Sequence, residues 1–377
     1  MPIFSRPRRH KLLLDPRRMP GPRLEIVPTR PRRLALPSPE RDTPTRWPRL
    51  LTMLLPTLML MLLLAVLLVP MPGCGASAAP ESESQPASRA LPESPATAER
   101  AAETEPAAGT AAPRCGERVE LAPGLVWQTK VAPIAPPLEA GDRCIRLLRI
   151  DPAHFELRVL TAFEHGEARG APTWARDFGL TAAINTSMYR PSGRSTGILI
   201  HSGTVQNGKD TKKFGAFLAF DPAVEANEPS APRPAVAMFG RGCPDYDLAG
   251  IRAGYRSLVQ NYRLLDCDGK AIDWKDPKMY SAAAVALDRQ GHVVFLHVRT
   301  PYLMRDLTRM LTDPDLDLGL TAAMFVEGGP EASLHVRHGD FEQTWVGSYE
   351  SGFQEHDDNR VSWPLPNVIG VVPRSKG

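Results

Sequence analysis

The 377-residue chain is poor in cysteine, with five, and no two of them stand in C-x-x-C spacing. That removes the usual grounds for a zinc site. No P-loop is present and no Ser-His-Asp order is recognisable, so nucleotide cradling and triad hydrolysis lose their support. The net charge is only +3 and mostly reflects an arginine-rich head, which gives no case for a nucleic-acid partner. No cofactor and no metal are expected. Charge is missing altogether from Leu50 to Ala79.

What is present divides the chain unevenly. Residues 1–49 are crowded with Arg and Pro and lack apolar periodicity, so they are expected to be a basic disordered region. Residues 50–73 hold a Leu- and Met-rich core, Leu50 to Val69, of about the 20 residues that cross a bilayer. Arginines precede this segment and Glu81 and Glu83 follow it, an asymmetry that keeps the N-terminus cytoplasmic and exports the rest. Cys74 follows Met71, Pro72 and Gly73 in a pattern similar to a degenerate bacterial lipoprotein box. Two anchors therefore fit: a lipid on Cys74 after cleavage, with Met19 or Met53 as the start, or a single membrane span. Residues 74–113, rich in Ala, Pro, Glu and Ser, are expected to be a flexible linker. Residues 114–377 remain as the folded domain, placed at the cell envelope on the exported side. Its four cysteines invite two disulfides between sequence neighbours, Cys115 with Cys144 and Cys243 with Cys267, zinc binding being the rival.

From Val119 onward, short apolar runs alternate with turn signals, which predicts an α+β domain: a strand-rich mixed sheet with a few covering helices. Ile145–Ile150 and Phe155–Thr161 read as strands. Hairpins are expected at Ser202-Gly203, at Asp288 to Gly291 and at His338-Gly339-Asp340. Thr173 to Phe178 reads as a short helix. A second helix, Tyr302 to Leu311, is expected to start with Thr300 as its cap and Pro301 in its first turn. The histidines His201, His292, His335 and His338 lie near hairpins and are expected to face solvent.

Chemistry concentrates at two strand ends. Ala322 to His335 reads A-A-M-F-V-E-G-G-P-E-A-S-L-H, so an apolar strand delivers Glu327 to a Gly328-Gly329 turn, with Glu331 one short loop away. Glycines let backbone N–H groups approach a ligand, and glycoside hydrolysis generally uses two carboxylates. A tight turn with surface glutamates is the plainer reading. Asn185 closes another apolar strand and leads into a polar loop whose Thr186, Ser187, Tyr189, Arg190 and Arg194 suit hydroxyls or phosphate. Its plainer reading is a turn cap. Gln260 and Asn261 follow an apolar run, and Arg299 ends a hairpin. Asp357, Asp358 and Glu355 form an acidic loop that either binds a divalent cation or is simply solvated.

Taken in order, these pieces resemble the phosphodiester glycosidase family, from about Cys144 to Pro373. Asn185 to Tyr189 is similar to the family's N-x-G-[FY] element, with Thr186 and Ser187 in place of small glycines. Gln260 to Leu264 looks like its Q-x-G-P-x-L element with a changed centre. Tyr280-Ser281-Ala282 stands where R-[ST]-A is usual, so that arginine is missing. Glu327-Gly328-Gly329-Pro330-Glu331 corresponds to D-G-G-G-S, and Pro364, Pro366 and Asn367 match the closing P-x-P-N. The resemblance implies hydrolysis of a sugar-phosphate phosphodiester or related glycosidic bond. Glu327, Asn185 and Glu331 would be catalytic, and Arg194, Tyr189, Gln260, Arg299, Gly328 and Gly329 would bind a glycan or sugar-phosphate substrate. Glu327 would stabilise oxocarbenium charge or activate water, Asn185 would position a sugar hydroxyl, and Arg194 or Arg299 would hold phosphate. The alternative is a non-catalytic module that binds glycan or peptidoglycan, with Trp345, Tyr349, Phe353 and Trp363 stacking on sugars, although buried aromatic core is the plainer reading of those rings.

Overall fold

Alternation of side chains along each strand decides how this domain packs. The structure is a computed structural model that describes residues 115–223 and 233–375. The basic head, the apolar segment with its anchor, and the linker lie outside the described residues. Among those described, no helix is long and apolar enough to cross a membrane.

The first sheet orders β1 (Arg118–Ala122), β2 (Leu125–Val131), β3 (Cys144–Ile150), β12 (Val293–Leu303), β11 (Met279–Asp288) and β13 (Leu320–Gly328). The second orders β7 (Thr204–Asn207), β6 (Leu199–His201), β10 (Tyr255–Asn261), β8 (Ala216–Pro222) and β9 (Val236–Gly240). The third orders β15 (Phe341–Val346), β14 (Ser333–His338), β5 (Ala182–Asn185), β16 (Asn367–Pro373) and β4 (Phe155–Thr161). Every ladder between these strands is antiparallel, so the expected mixed sheet takes the form of three antiparallel ones.

One face of each sheet meets the other two. Leu148, Val285, Phe295 and Val326 of the first, Leu218 and Val259 of the second, and Ile184, Leu334 and Ile369 of the third share a single core. The opposite faces are each backed by one helix. Helix Met304–Leu311 clusters Met304, Leu307, Met310 and Leu311 with Ala282, Ala284 and Ala286, whose small side chains let it approach the sheet. Helix Leu248–Gly254 sets Ile251 with Phe217 and Ala219, and helix Ala171–Asp177 sets Trp174 and Ala175 with Ala183 and Val368. The period of two in the strands and the short amphipathic helices together account for this arrangement.

Three details refine the sequence expectations. The helix expected from Tyr302 starts later, because β12 continues to Leu303 opposite Met279. Thr300 is not a cap: its Oγ1 accepts the N–H groups of Asp142 and Arg143 at 3.1 and 2.8 Å. Pro301 falls in an irregular stretch between the Tyr280–Tyr302 and Ala282–Val298 pairs, where a missing N–H does least harm. Two histidines expected at the surface are buried. His201 sits 2.9 Å from the Glu164 carboxylate, and His335 Nδ1 lies 2.9 Å from Thr344 Oγ1. The Ser202-Gly203 turn does form, with φ of 47° and 85°, the pair of positive values a two-residue hairpin of type I′ needs. Both disulfides form between the expected partners, each with its Cα atoms 5.5 Å apart.

Candidate active site

β13 delivers its acid through an irregular register. Ala284 faces Phe325 while Ala283 faces Glu327, so Val326 is the extra residue of a bulge. Bulges re-aim side chains beside functional sites. Here Met324 and Val326 pack into the central core, whereas Phe325 and Glu327 open onto a cleft of about 680 Å³. That volume suits a small ligand. Gly328, Glu331 in the 3-10 turn Gly329–Glu331, and Glu350 share the cleft with Glu327. The 3-10 turn begins at Gly329 with φ +65°, a left-handed value that favours glycine.

Three successive carbonyls of this acid-bearing loop are held from behind by buried side chains. Asn359 Nδ2 donates to Pro330 O at 3.3 Å, and Asn185 Nδ2 donates to Glu331 O at 3.0 Å. His297 Nε2 stands 3.3 Å from Ala332 O. Burial is the main reason that this imidazole is held down to about 3, with the Arg146 charge adding to it, so it is neutral at physiological pH. Asn185 also accepts the Ser333 N–H at 2.8 Å. Its amide is thus engaged with main chain, which leaves it to seat the loop rather than to position a sugar hydroxyl.

Electrostatics separate the three acids. Burial pushes the Glu327 carboxyl well above the ordinary range, the charges of Glu331 and Glu350 add to this, and the Gly328 N–H, 3.1 Å from Oε1, opposes it. Its raised proton affinity suits Glu327 to hydrogen-bond donation rather than water activation. Burial, reinforced by Glu350, raises Glu331 to about 7. Burial also raises Glu350, against the lowering effect of Lys278, whose Nζ is 3.8 Å from its Oε1. The Tyr189 phenol is raised by burial and then by Glu327 and Glu331, so it keeps its proton while facing them.

Of the nine residues expected at the site, Glu327, Glu331, Tyr189, Gly328 and Gly329 come together, with Asn185 behind them on the main chain of the loop. Three do not. Gln260 is fully buried, its Oε1 accepting the N–H groups of Ile198 and Thr211 at 3.1 Å and its Nε2 donating to Asp210 and Phe214. Arg299 donates to Val346 O and Asn359 O at 2.8 and 2.9 Å, pairs with Asp357 at 2.6 Å, and does not line the cleft. Arg194 is exposed and lies over the Phe163 ring, 5.4 Å from its centroid. Asp357 is committed to Arg299 and the Gly141 N–H, and Asp358 pairs with His356. No group of three or more His, Cys, Asp or Glu able to hold a metal occurs among the described residues.

The cations of the cleft are Lys213, Arg263, Lys275 and Lys278. Sequence reasoning missed them, together with Glu350. The run W-K-D-P-K, a charged Pro-containing loop just before a strand, is the signal that would have found two of them. Glu350 has no such signal: an isolated bridge to Tyr280 brings it in from 70 positions away. Trp274 and Tyr262, with ring centroids 5.1 Å apart, form an aromatic wall. The aromatics singled out in the sequence are elsewhere, for Trp345 is buried against Trp127 at 4.0 Å and 9°, and Tyr349 is buried too. Gly193-Arg194-Ser195-Thr196-Gly197 has the spacing of a nucleophile elbow, yet Ser195 is fully buried and bonded to Ser187 and Gly197 O.

Comparison with known proteins gives three results. No curated protein sequence matches the chain. Among solved structures, it is similar to a hypothetical protein from Synechocystis, at 15% identity and a TM-score of 0.45 over 70% of this chain and 64% of that one. It is also similar to the zebrafish N-acetylglucosamine-1-phosphodiester alpha-N-acetylglucosaminidase catalytic domain auto-inhibited by its pro-peptide, at 13% identity and a TM-score of 0.47 over 69% of this chain and 87% of that one. The chain thus spans less than two thirds of the Synechocystis protein. The model of one family matches residues 178–372, more than half of the sequence and the part that holds Glu327, Glu331 and Glu350. The chain belongs to the phosphodiester glycosidase family.

Proposed function

We propose that this domain hydrolyses the C1–O bond of a sugar carried on a phosphodiester, at the cell envelope. The observation that carries the reading is the meeting of Glu327 and Glu331 in one cleft, both displaced upward in proton affinity, next to lysines that suit a phosphate. A phosphate monoester leaves with its own stable negative charge, so cations matter more than a strong acid. Lys213 and Lys275 take that role in place of Arg194 and Arg299. Protonated Glu327 donates to an oxygen of the substrate, and Glu331, titrating at about 7, takes the proton of the incoming water. Water supplies the new hydroxyl on C1, and the phosphate monoester departs with the bonding electrons. Tyr262 and Trp274 offer a face on which the sugar stacks.

The envelope location rests on the uncharged segment 50–73 upstream, and the two disulfides of the domain agree with an oxidising compartment. Cell fractionation that left the chain wholly in the cytosol would sink it. For the activity, the full chain is assayed against a panel of glycosyl phosphodiesters, with release of the phosphate monoester as the readout. Glu327→Gln is expected to lower kcat by about 100-fold or more. Unchanged turnover would remove Glu327 from the reaction.

A further inference from the structure

Glu350 belongs to no motif, yet it lies against the acid loop within the same cleft. Its Oε2 lies 2.7 Å, and Glu331 Oε2 lies 3.5 Å, from the point where a Cβ on Gly329 would sit. The two carboxylate oxygens are therefore no more than about 6 Å apart, with only a glycine between them. Lys278 Nζ, 3.8 Å from Glu350 Oε1, gives this one acid a countercharge. Glu350 is held in place by main-chain bridges to Tyr280 and Gln354. Carboxylates about 5–5.5 Å apart accompany double displacement, whereas a gap of about 6.5–9.5 Å leaves room for a water and accompanies inversion.

Resting on the hydrolytic reading above, we infer that Glu350 is the nucleophile and that the reaction retains the anomeric configuration. An ionised Glu350 oxygen bonds to C1 as the C1–O bond to phosphate breaks, and the electron pair leaves with the phosphate monoester. Water then bonds to C1 from the face the phosphate vacated. Its proton passes to Glu331, the ester to Glu350 breaks, and the electrons return to the Glu350 carboxylate. Lys278 keeps Glu350 charged before the attack and positions it.

The decisive measurement needs no variant. Proton NMR of the full chain acting on a glycosyl phosphodiester identifies the anomer released first, and it should match the substrate. Glu350→Gln should lose more than about 1,000-fold in kcat with a melting temperature no lower than the wild type's. Azide added to Glu350→Ala should restore turnover and yield a glycosyl azide of inverted configuration. Release of the inverted sugar, or wild-type turnover by Glu350→Gln, overturns the assignment of Glu350 and leaves the hydrolytic reading standing. A chain that cleaves no glycosyl phosphodiester overturns both.

Discussion

Three glutamates in one half-buried cleft cannot all ionise at ordinary cost, because burial raises the proton affinity of each, Glu350 adds to it at Glu331, and both add to it at Glu327. The consequence for stability has a definite sign. Glu331 moves from 4.5 to about 7 on folding, so between those values the folded chain binds more protons than the unfolded one. Stability from this group is full below about 4.5 and declines as pH rises to about 7, with Glu327 and Glu350 acting in the same direction. The buried imidazoles His297 and His335, held down to about 3 and about 4, slope the other way over part of that window, so the term is read as a difference: Glu331→Gln should gain stability over the wild type as pH rises from about 4.5 to about 7 in denaturant melts. A difference that stays constant with pH would contradict the burial of Glu331. At this scale Glu327 and Glu331 were legible, since an apolar strand ending in E-G-G announces itself. Arg299 was misread because its partners, Val346, Asp357 and Asn359, are brought to it only by the fold.

The loop from Gly328 to Ala332 behaves as an element in its own right, although its hydrogen bonds come from elsewhere. Asn185, Asn359 and His297 supply donors to three consecutive carbonyls. Asn185→Ala leaves the Glu331 carbonyl and the Ser333 N–H without their partner, at about 1–3 kcal/mol each when such groups stay buried. Displacement of Glu331 by about 1 Å should lower kcat by about 100-fold with a smaller change in KM. Equal kcat in a folded Asn185→Ala protein would show that the loop seats itself. Sequence reasoning gave Asn185 a sugar hydroxyl as its partner where the structure gives it main chain, since a strand-terminal asparagine looks the same in either setting. Strands and hairpins were read well because alternation is local. The start of helix Met304–Leu311 was not, because the pairing of Leu303 with Met279 outweighed a local Thr-Pro signal.

At the scale of the whole molecule, three sheets close on one core and the disulfides brace its margins. The bridges Cys115–Cys144 and Cys243–Cys267 enclose separations of 29 and 24 residues. Each is expected to contribute about 3–4 kcal/mol by restricting the unfolded chain. Their loss should differ in effect: the second bridge carries the Arg263 guanidinium, 3.0 Å from Cys243 Sγ, at the wall of the cleft. Replacing Cys243 and Cys267 by serine should lower both melting temperature and substrate affinity. Replacing Cys115 and Cys144 should lower only the former, and equal effects on affinity would refute the distinction. The three-sheet plan could not be read from the sequence, because strand order depends on pairings such as β3 with β12, separated by well over a hundred positions.

The props beneath the acid loop stand at positions 185, 297 and 359. No early portion of the chain can seat Glu331, whatever local structure it has gained, so hydrolysis should appear only in the last phase of refolding, after the far-ultraviolet signal has recovered. On the proposed hydrolytic reading, a nascent or truncated polypeptide ending before Asn359 is disarmed, and turnover would serve as a chronometer for the completion of folding.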